Sequence, residues 1–133
     1  MRTLNVLAAG LLVGFAGCAS VDTVQSPAPG HELRSFVPGW ERFFTVDWQP
    51  GTRDGRPVVS GTVRNTYGAE ATRVQLLVEA LDDKGSVTSQ RVVWLGNTIG
   101  PFDTARFDVP VERAANYRVT VFAYDQRRGG GGA

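Results

Sequence analysis

The chain has 133 residues, enough for one small domain with flanking segments. It has fourteen basic and thirteen acidic residues, which give a net charge of +1. The basic residues do not form the positively charged stripe that binding to nucleic-acid phosphates requires, so we expect no nucleic-acid partner. A single cysteine, Cys18, excludes an intramolecular disulfide.

Residues 1–17 have the layout of a secretory signal peptide. Arg2 supplies the positive charge at the start, and the apolar stretch from Leu4 to Phe15 follows it. This stretch is shorter than the ~20 apolar residues that a membrane-spanning helix needs. Two small residues, Ala16 and Gly17, then precede Cys18.

The run Phe15-Ala16-Gly17-Cys18 resembles the bacterial lipobox, although Phe15 stands where that family usually has leucine. The resemblance implies cleavage before Cys18 and a lipid on its thiol, with palmitate among the acyl chains. Several chains together give a stable anchor, whereas one alone is marginal. Ala19, in place of an aspartate, implies an outer-membrane anchor facing the periplasm. The alternative is an ordinary signal peptide with an incidental cysteine.

Residues 18–39 are predicted to be the lipidated N-terminus and a flexible tether, because proline and glycine recur there without an apolar period. His31 lies in this stretch, and a ligand or catalytic role would need partners at fixed positions, so we expect a solvated side chain. At the other end, residues 127–133 include four consecutive glycines and are predicted to be a disordered tail.

Between residues 40 and 126 apolar side chains alternate with polar ones, and no helical stripe is sustained. The first run is predicted to end at Pro50-Gly51 and the Asp54-Gly55 turn, and Pro110 indicates an edge or a strand end. The pattern predicts an all-β domain, a small immunoglobulin-like β-sandwich of six or seven antiparallel strands. The alternating runs cover residues 44–48, 59–63, 74–80, 87–95, 102–111 and 116–125.

The stretch from residue 57 to residue 125 resembles the FxLYD domain and the water-stress β-sandwiches. Val59–Asn65 matches a "G-x-V-x-N" strand, and Leu81–Gly85 resembles a turn of the type Leu-Tyr-Asp-x-x-Gly, with one residue fewer before the glycine. The sequence departs from the family at Asp82, which replaces its tyrosine, and at Glu79, which replaces its phenylalanine. The resemblance implies an extracytoplasmic β-sandwich module without known catalysis.

Few residues suggest chemistry. No G-x-S-x-G motif occurs, and Asp82 and Asp83 are followed by Lys84 and Gly85, which indicates a turn in place of a cation site. No catalytic, metal-binding or cofactor-binding residue is therefore predicted. Five aromatic residues are expected to pack in the core or to form a binding face. These are Trp40, Phe43, Phe44, Trp48 and Trp94.

Two functions remain open. The first is a membrane-anchored envelope lipoprotein, held by lipid on Cys18, that binds another envelope protein or supports an assembly without being an enzyme. An exposed strand edge would provide the binding mode. The alternative is a carrier of a small ligand or lipid between the sheets. A large apolar cavity favours the carrier, whereas a filled core with a bare edge or an exposed aromatic patch favours the binding module.

Overall fold

The computed structural model describes residues 32–127, and strands dominate this part of the chain. The all-β class predicted from the alternation is confirmed, with six strands. A short 3-10 turn, Trp40–Arg42, precedes them. The strands are β1 (Phe44–Arg53), β2 (Arg56–Asn65), β3 (Glu70–Leu81), β4 (Val87–Trp94), β5 (Thr104–Pro110) and β6 (Asn116–Arg127).

The strands form two three-stranded antiparallel sheets. One has the order β1-β2-β5 and the other β4-β3-β6. Hairpins join β1 to β2 and β3 to β4, while the remaining connections cross from one sheet to the other. This is the predicted antiparallel β-sandwich. Strands β1, β5, β4 and β6 are the four sheet edges.

The hairpin between β1 and β2 has a two-residue turn, Asp54-Gly55, with φ angles of 51° and 74°. Positive φ at both positions is the type I′ geometry that follows the natural twist of a hairpin. The predicted strand end at Pro50-Gly51 is wrong, because β1 continues to Arg53. Since β1 is an edge strand, it tolerates a proline that cannot donate to a neighbouring strand.

The core lies between the sheets and consists of the alternating aliphatic residues. Val59, Val74, Leu76 and Val121 show no exposed surface. Alternation alone would place Tyr124 on the same face of β6 as Phe122, away from the core. An irregularity in the pairing of β3 with β6 near Gln75 shifts the alternation, and Tyr124 packs against the core cluster.

The outer face of the β4-β3-β6 sheet is crossed by residues 33–36, here called the crossing segment. The Leu33 N–H donates to Gln90 Oε1 at 2.9 Å, and Gln90 Nε2 donates to the Leu33 carbonyl at 3.0 Å. The Phe36 N–H donates to the carbonyl of Phe122 at 2.9 Å. Because β4 and β6 are opposite edges of this sheet, the segment passes over β3.

Beneath the crossing segment lies a buried polar group, the carboxylate of Glu79, which is 3% exposed. It accepts hydrogen bonds from Gln90 Nε2 at 2.9 Å and from Arg118 Nε at 2.8 Å. The hydrogen bond to Glu79 raises the pKa of the half-exposed Arg118 guanidinium. Gln90 thus joins Glu79 to the backbone of Leu33. The predicted flexible tether extends to Gly39, but its residues 33–36 are packed against the sheet.

Several predictions concern residues outside the described range. The signal peptide of residues 1–17, the lipid site Cys18 and the solvated His31 lie before it, and most of the predicted tail lies after it. Strand β6 includes Arg127, the first residue assigned to that tail.

Candidate functional site

The two sides of the sandwich differ. On the side where β1 and β6 lie, aromatic rings close the space between the sheets. The Tyr124 ring meets Phe44 edge-on, with centroids 4.7 Å apart, and lies 6.4 Å from Phe43. Phe43 in turn meets Tyr67 edge-on at 5.1 Å. Such tilted and edge-on contacts stabilise a pair beyond its buried area.

Burial raises the pKa of the Tyr124 phenol above its ordinary value of 10.0. The neutral phenol is therefore favoured in the folded chain, and its contribution to stability is complete below pH 10.0 and is lost as the pH rises through the folded pKa. We expect the free energy of unfolding to fall in this alkaline range. Urea unfolding at about pH 8 and about pH 11 will measure it.

The control for this prediction is Tyr124→Phe, which keeps the ring and removes the titrating hydroxyl. The variant should lose less stability than the wild type between the two pH values. An equal loss in both proteins would show that other groups cause the alkaline dependence.

On the opposite side, β4 and β5 leave their outer edges unpaired within residues 32–127. A cleft of about 500 Å³ separates them. Six consecutive residues, 103–108, line one wall, and residues 93–99 line the other. Val93, Ala105 and Phe107 give the cleft apolar surface, while Arg106 and Asp108 are exposed. This combination of free backbone groups and apolar surface suits an extended peptide.

One end of the open side is closed by a single side chain. Arg91 Nη1 on β4 donates to the carbonyl of Pro110 on β5 at 2.7 Å. This bond ties the two sheets together at the last residue of β5, so the open part of the side lies toward residues 93–99 and 103–108.

The other end is formed by the loop of residues 95–103, which is anchored to the domain at several points. Ile99 and Ala71 exchange two backbone hydrogen bonds, each 2.9 Å long. Asn65 Nδ2 donates to the carbonyls of Ala69, Ile99 and Gly100 at 2.7–3.2 Å. Asn65 is fully buried, so these bonds fix the loop from inside. The cleft therefore has a rigid end.

Phe102 projects from this loop in an unfavourable backbone conformation. It is the third residue of the turn Gly100-Pro101-Phe102-Asp103, in which the Asp103 N–H bonds the Gly100 carbonyl at 3.1 Å. Its φ is 59°, a region where a bulky residue is an outlier, and its side chain is 60% exposed. A glycine would fit this turn position better. Strained backbone concentrates at functional sites, so the exposed ring is a candidate contact for a partner.

A second hollow, of about 680 Å³, lies on the outer face of the β1-β2-β5 sheet. Polar residues from all three strands line it, and an ion pair joins Arg53 on β1 to Asp108 on β5. One solvated face is the usual state of an antiparallel sheet, and this hollow lies on such a face. The open side is the stronger candidate because two unpaired strand edges border one cleft there.

The five aromatic residues singled out in the sequence do not share one environment. Phe44 is buried, and Trp40, Phe43 and Trp48 are half-buried against the core. Trp94, in contrast, is 61% exposed and lines the cleft. The sequence does not indicate Phe102 as a binding residue, since nothing in its local sequence predicts a positive φ.

The turn after β3 agrees with the sequence analysis. Asp82 Oδ1 accepts hydrogen bonds from the N–H groups of Lys84 and Ser86 at 2.9 and 2.8 Å, and Gly85 has a φ of 80°. Within residues 32–127 no group of three or more His, Cys, Asp or Glu side chains is arranged to hold a metal ion. In the same range no helix has the length and apolar character to cross a membrane.

Comparison with models of protein families, with curated proteins and with solved structures gave no match. The similarity to the FxLYD and water-stress families therefore stays a prediction from the motif.

Proposed function

We propose that this protein is a lipid-anchored lipoprotein of the bacterial cell envelope whose β-sandwich binds an extended segment of another envelope protein. Cys18 carries the lipid, and the anchor lies in the outer membrane and faces the periplasm. The domain acts by binding and without catalysis. The observation that carries the proposal is the open side of the sandwich, with its cleft between β4 and β5.

The free edge of β5 supports a strand-addition mode. An extended partner can form main-chain hydrogen bonds with residues 104–108, and alternate side chains then point into the cleft toward Val93 and Phe107. Phe102 at the rim adds an exposed ring beside this edge. Aromatic side chains of this kind commonly provide much of the binding energy of an interface.

The filled core supports binding over carriage of a ligand between the sheets. Val59, Val63, Leu76 and Val109 are at most 1% exposed and occupy the inter-sheet space. The two hollows described above open at the side of the sandwich and on its outer face. A carrier needs an apolar pocket of about 300 Å³ or more that buries most of the surface of its ligand.

Position-specific photocrosslinking in intact cells tests the proposal. A benzoylphenylalanine replaces Phe102 in one strain and Thr104 in a second, both at the open side. A third strain carries it at Tyr67, an aromatic that is 43% exposed in a turn next to the closed side. We expect a discrete crosslinked species from Phe102 and Thr104 and none from Tyr67, with the partner peptide identified by mass spectrometry.

A Phe102→Asn variant checks the contribution of the ring, because asparagine tolerates positive φ. It should fold normally and show a weaker crosslink from position 104. Equal crosslinking from all three positions, or none from the open side, would exclude this site. A lipid that co-purifies with the protein and protects core amides from exchange would favour the carrier instead.

A further inference from the structure

The outer face of the β4-β3-β6 sheet carries exposed apolar side chains around the crossing segment. Phe36 is 74% exposed, and Leu33 is 40% exposed. Trp94 belongs to the same face, because Gln90 on β4 contacts Glu79 there and the two-residue alternation brings Trp94 to Gln90's side. Three of the five exposed large hydrophobic side chains in residues 32–127 thus lie on one face.

These side chains rest on a firm base. The Phe36 ring lies on Phe122, with centroids 4.7 Å apart, and Ser35 Oγ donates to the carbonyl of Val121 at 2.6 Å. Leu77, under the middle of the crossing segment, is 2% exposed. The backbone that carries Leu33 and Phe36 is therefore held to both edges of the sheet. The Phe36 ring in particular is held in place by its contact with Phe122.

The path of the chain places this face near the proposed lipid. Leu33 lies fifteen residues after Cys18. Even fully extended, such a stretch spans at most ~50 Å. Because the described chain begins on this face, a lipid on Cys18 keeps the face close to the bilayer. Tryptophan is enriched at the level of the lipid headgroups, and Trp, Phe and Leu side chains form the apolar faces that insert there.

We propose that this face docks on the phospholipid surface, with the side chains of Phe36, Trp94 and Leu33 inserted among the headgroups. The inference rests on the lipid anchor of the proposed function. The nearby charges balance, since two acidic residues, Glu32 and Glu79, stand against two basic ones, Arg34 and Arg118. Docking is therefore driven by apolar contact, and added salt or anionic lipid should change it little.

The experiment measures tryptophan quenching by bromine atoms on the acyl chains of phosphatidylcholine–phosphatidylethanolamine vesicles. The protein is held on the vesicles by its own lipid. If mass spectrometry finds no lipid, it is coupled through Cys18, the single cysteine, to a maleimide headgroup. Failure of the anchor and failure of the docking face are thereby measured separately.

Trp94 is the exposed tryptophan, whereas Trp40 and Trp48 are half-buried. We expect quenching by the brominated lipid, and most of it should disappear in Trp94→Phe. Phe36→Ser should reduce the quenching of Trp94, while the matched variant Tyr67→Ser, on an exposed aromatic next to the closed side, should leave it unchanged.

The proposal is overturned if wild-type quenching equals that of Trp94→Phe, or if Phe36→Ser and Tyr67→Ser behave alike. Quenching that vanishes with added salt would also contradict apolar docking. Thermal unfolding of each variant shows whether it is folded. If Phe36→Ser unfolds, Phe36→Leu takes its place and should retain part of the quenching.

Discussion

Gly61→Ala should destabilise the domain by about 3 kcal/mol or more, at the upper end of the range for overpacking. A methyl group built on Gly61 would lie 1.9 Å from the carbonyl oxygen of Asp47 and 2.7 Å from the Cα of Trp48. Both are backbone atoms of the paired strand β1, so no side-chain rotation can relieve the contact. Urea unfolding monitored by tryptophan fluorescence measures the loss.

Gly51→Ala is the matched control in the same hairpin. Its added methyl would meet only Val58 Cγ2, at the ordinary contact distance of 3.9 Å. We expect a change within about 0.5 kcal/mol, as is usual for surface substitutions. If Gly61→Ala were equally mild, the close approach of β1 to β2 would have to relax easily, contrary to the prediction.

Asn65→Asp should cost about 3 kcal/mol or more, because several buried hydrogen bonds are lost at once. Asn65 Nδ2 donates to three carbonyls, and a carboxylate in its place has no hydrogen to donate. Negative oxygen atoms would then face one another in a buried site. The Tyr67 N–H, which donates to Asn65 Oδ1 at 3.0 Å, would keep its acceptor.

Asn97→Asp makes the same chemical change at an exposed position of the connection between β4 and β5. Its stability should remain close to that of the wild type. Amide hydrogen exchange adds a local readout, because loss of the Asn65 bonds should expose the amide of Ile99 first. Similar stability losses in both variants would mean that the buried bonds of Asn65 contribute little.

Gly61 and Asn65 show how much of the fold can be predicted from the sequence alone. Alternation predicted all six strands, with the largest difference at the end of β1, and the Asp54-Gly55 turn followed from residue type. The "G-x-V-x-N" motif marked Gly61 and Asn65, but only as a resemblance. Their physical roles depend on the approach of β1 and on carbonyls up to 35 positions away in the chain. Single-sequence patterns do not contain such distances.

The candidate site was harder to predict than the strands, because it too depends on contacts between residues that are distant in the sequence. The crossing segment has no alternation, and its contacts join residues 57 and 86 positions apart. Which strand edges remain unpaired depends on the order of the strands in each sheet and on how the two sheets pack together. The positive φ of Phe102 is held by a turn that normally favours glycine at that place. Each of these features depends on the assembled fold, and no local sequence pattern predicts it.

The difference between the two sides of the sandwich also determines the direction from which a partner strand can approach. Aromatic rings pack the two sheets together on the β1 and β6 side, and the crossing segment bonds to part of the β6 edge. The unpaired edges of β4 and β5 border one cleft on the other side. Two partner strands, one at each of these edges, would therefore compete for the same space.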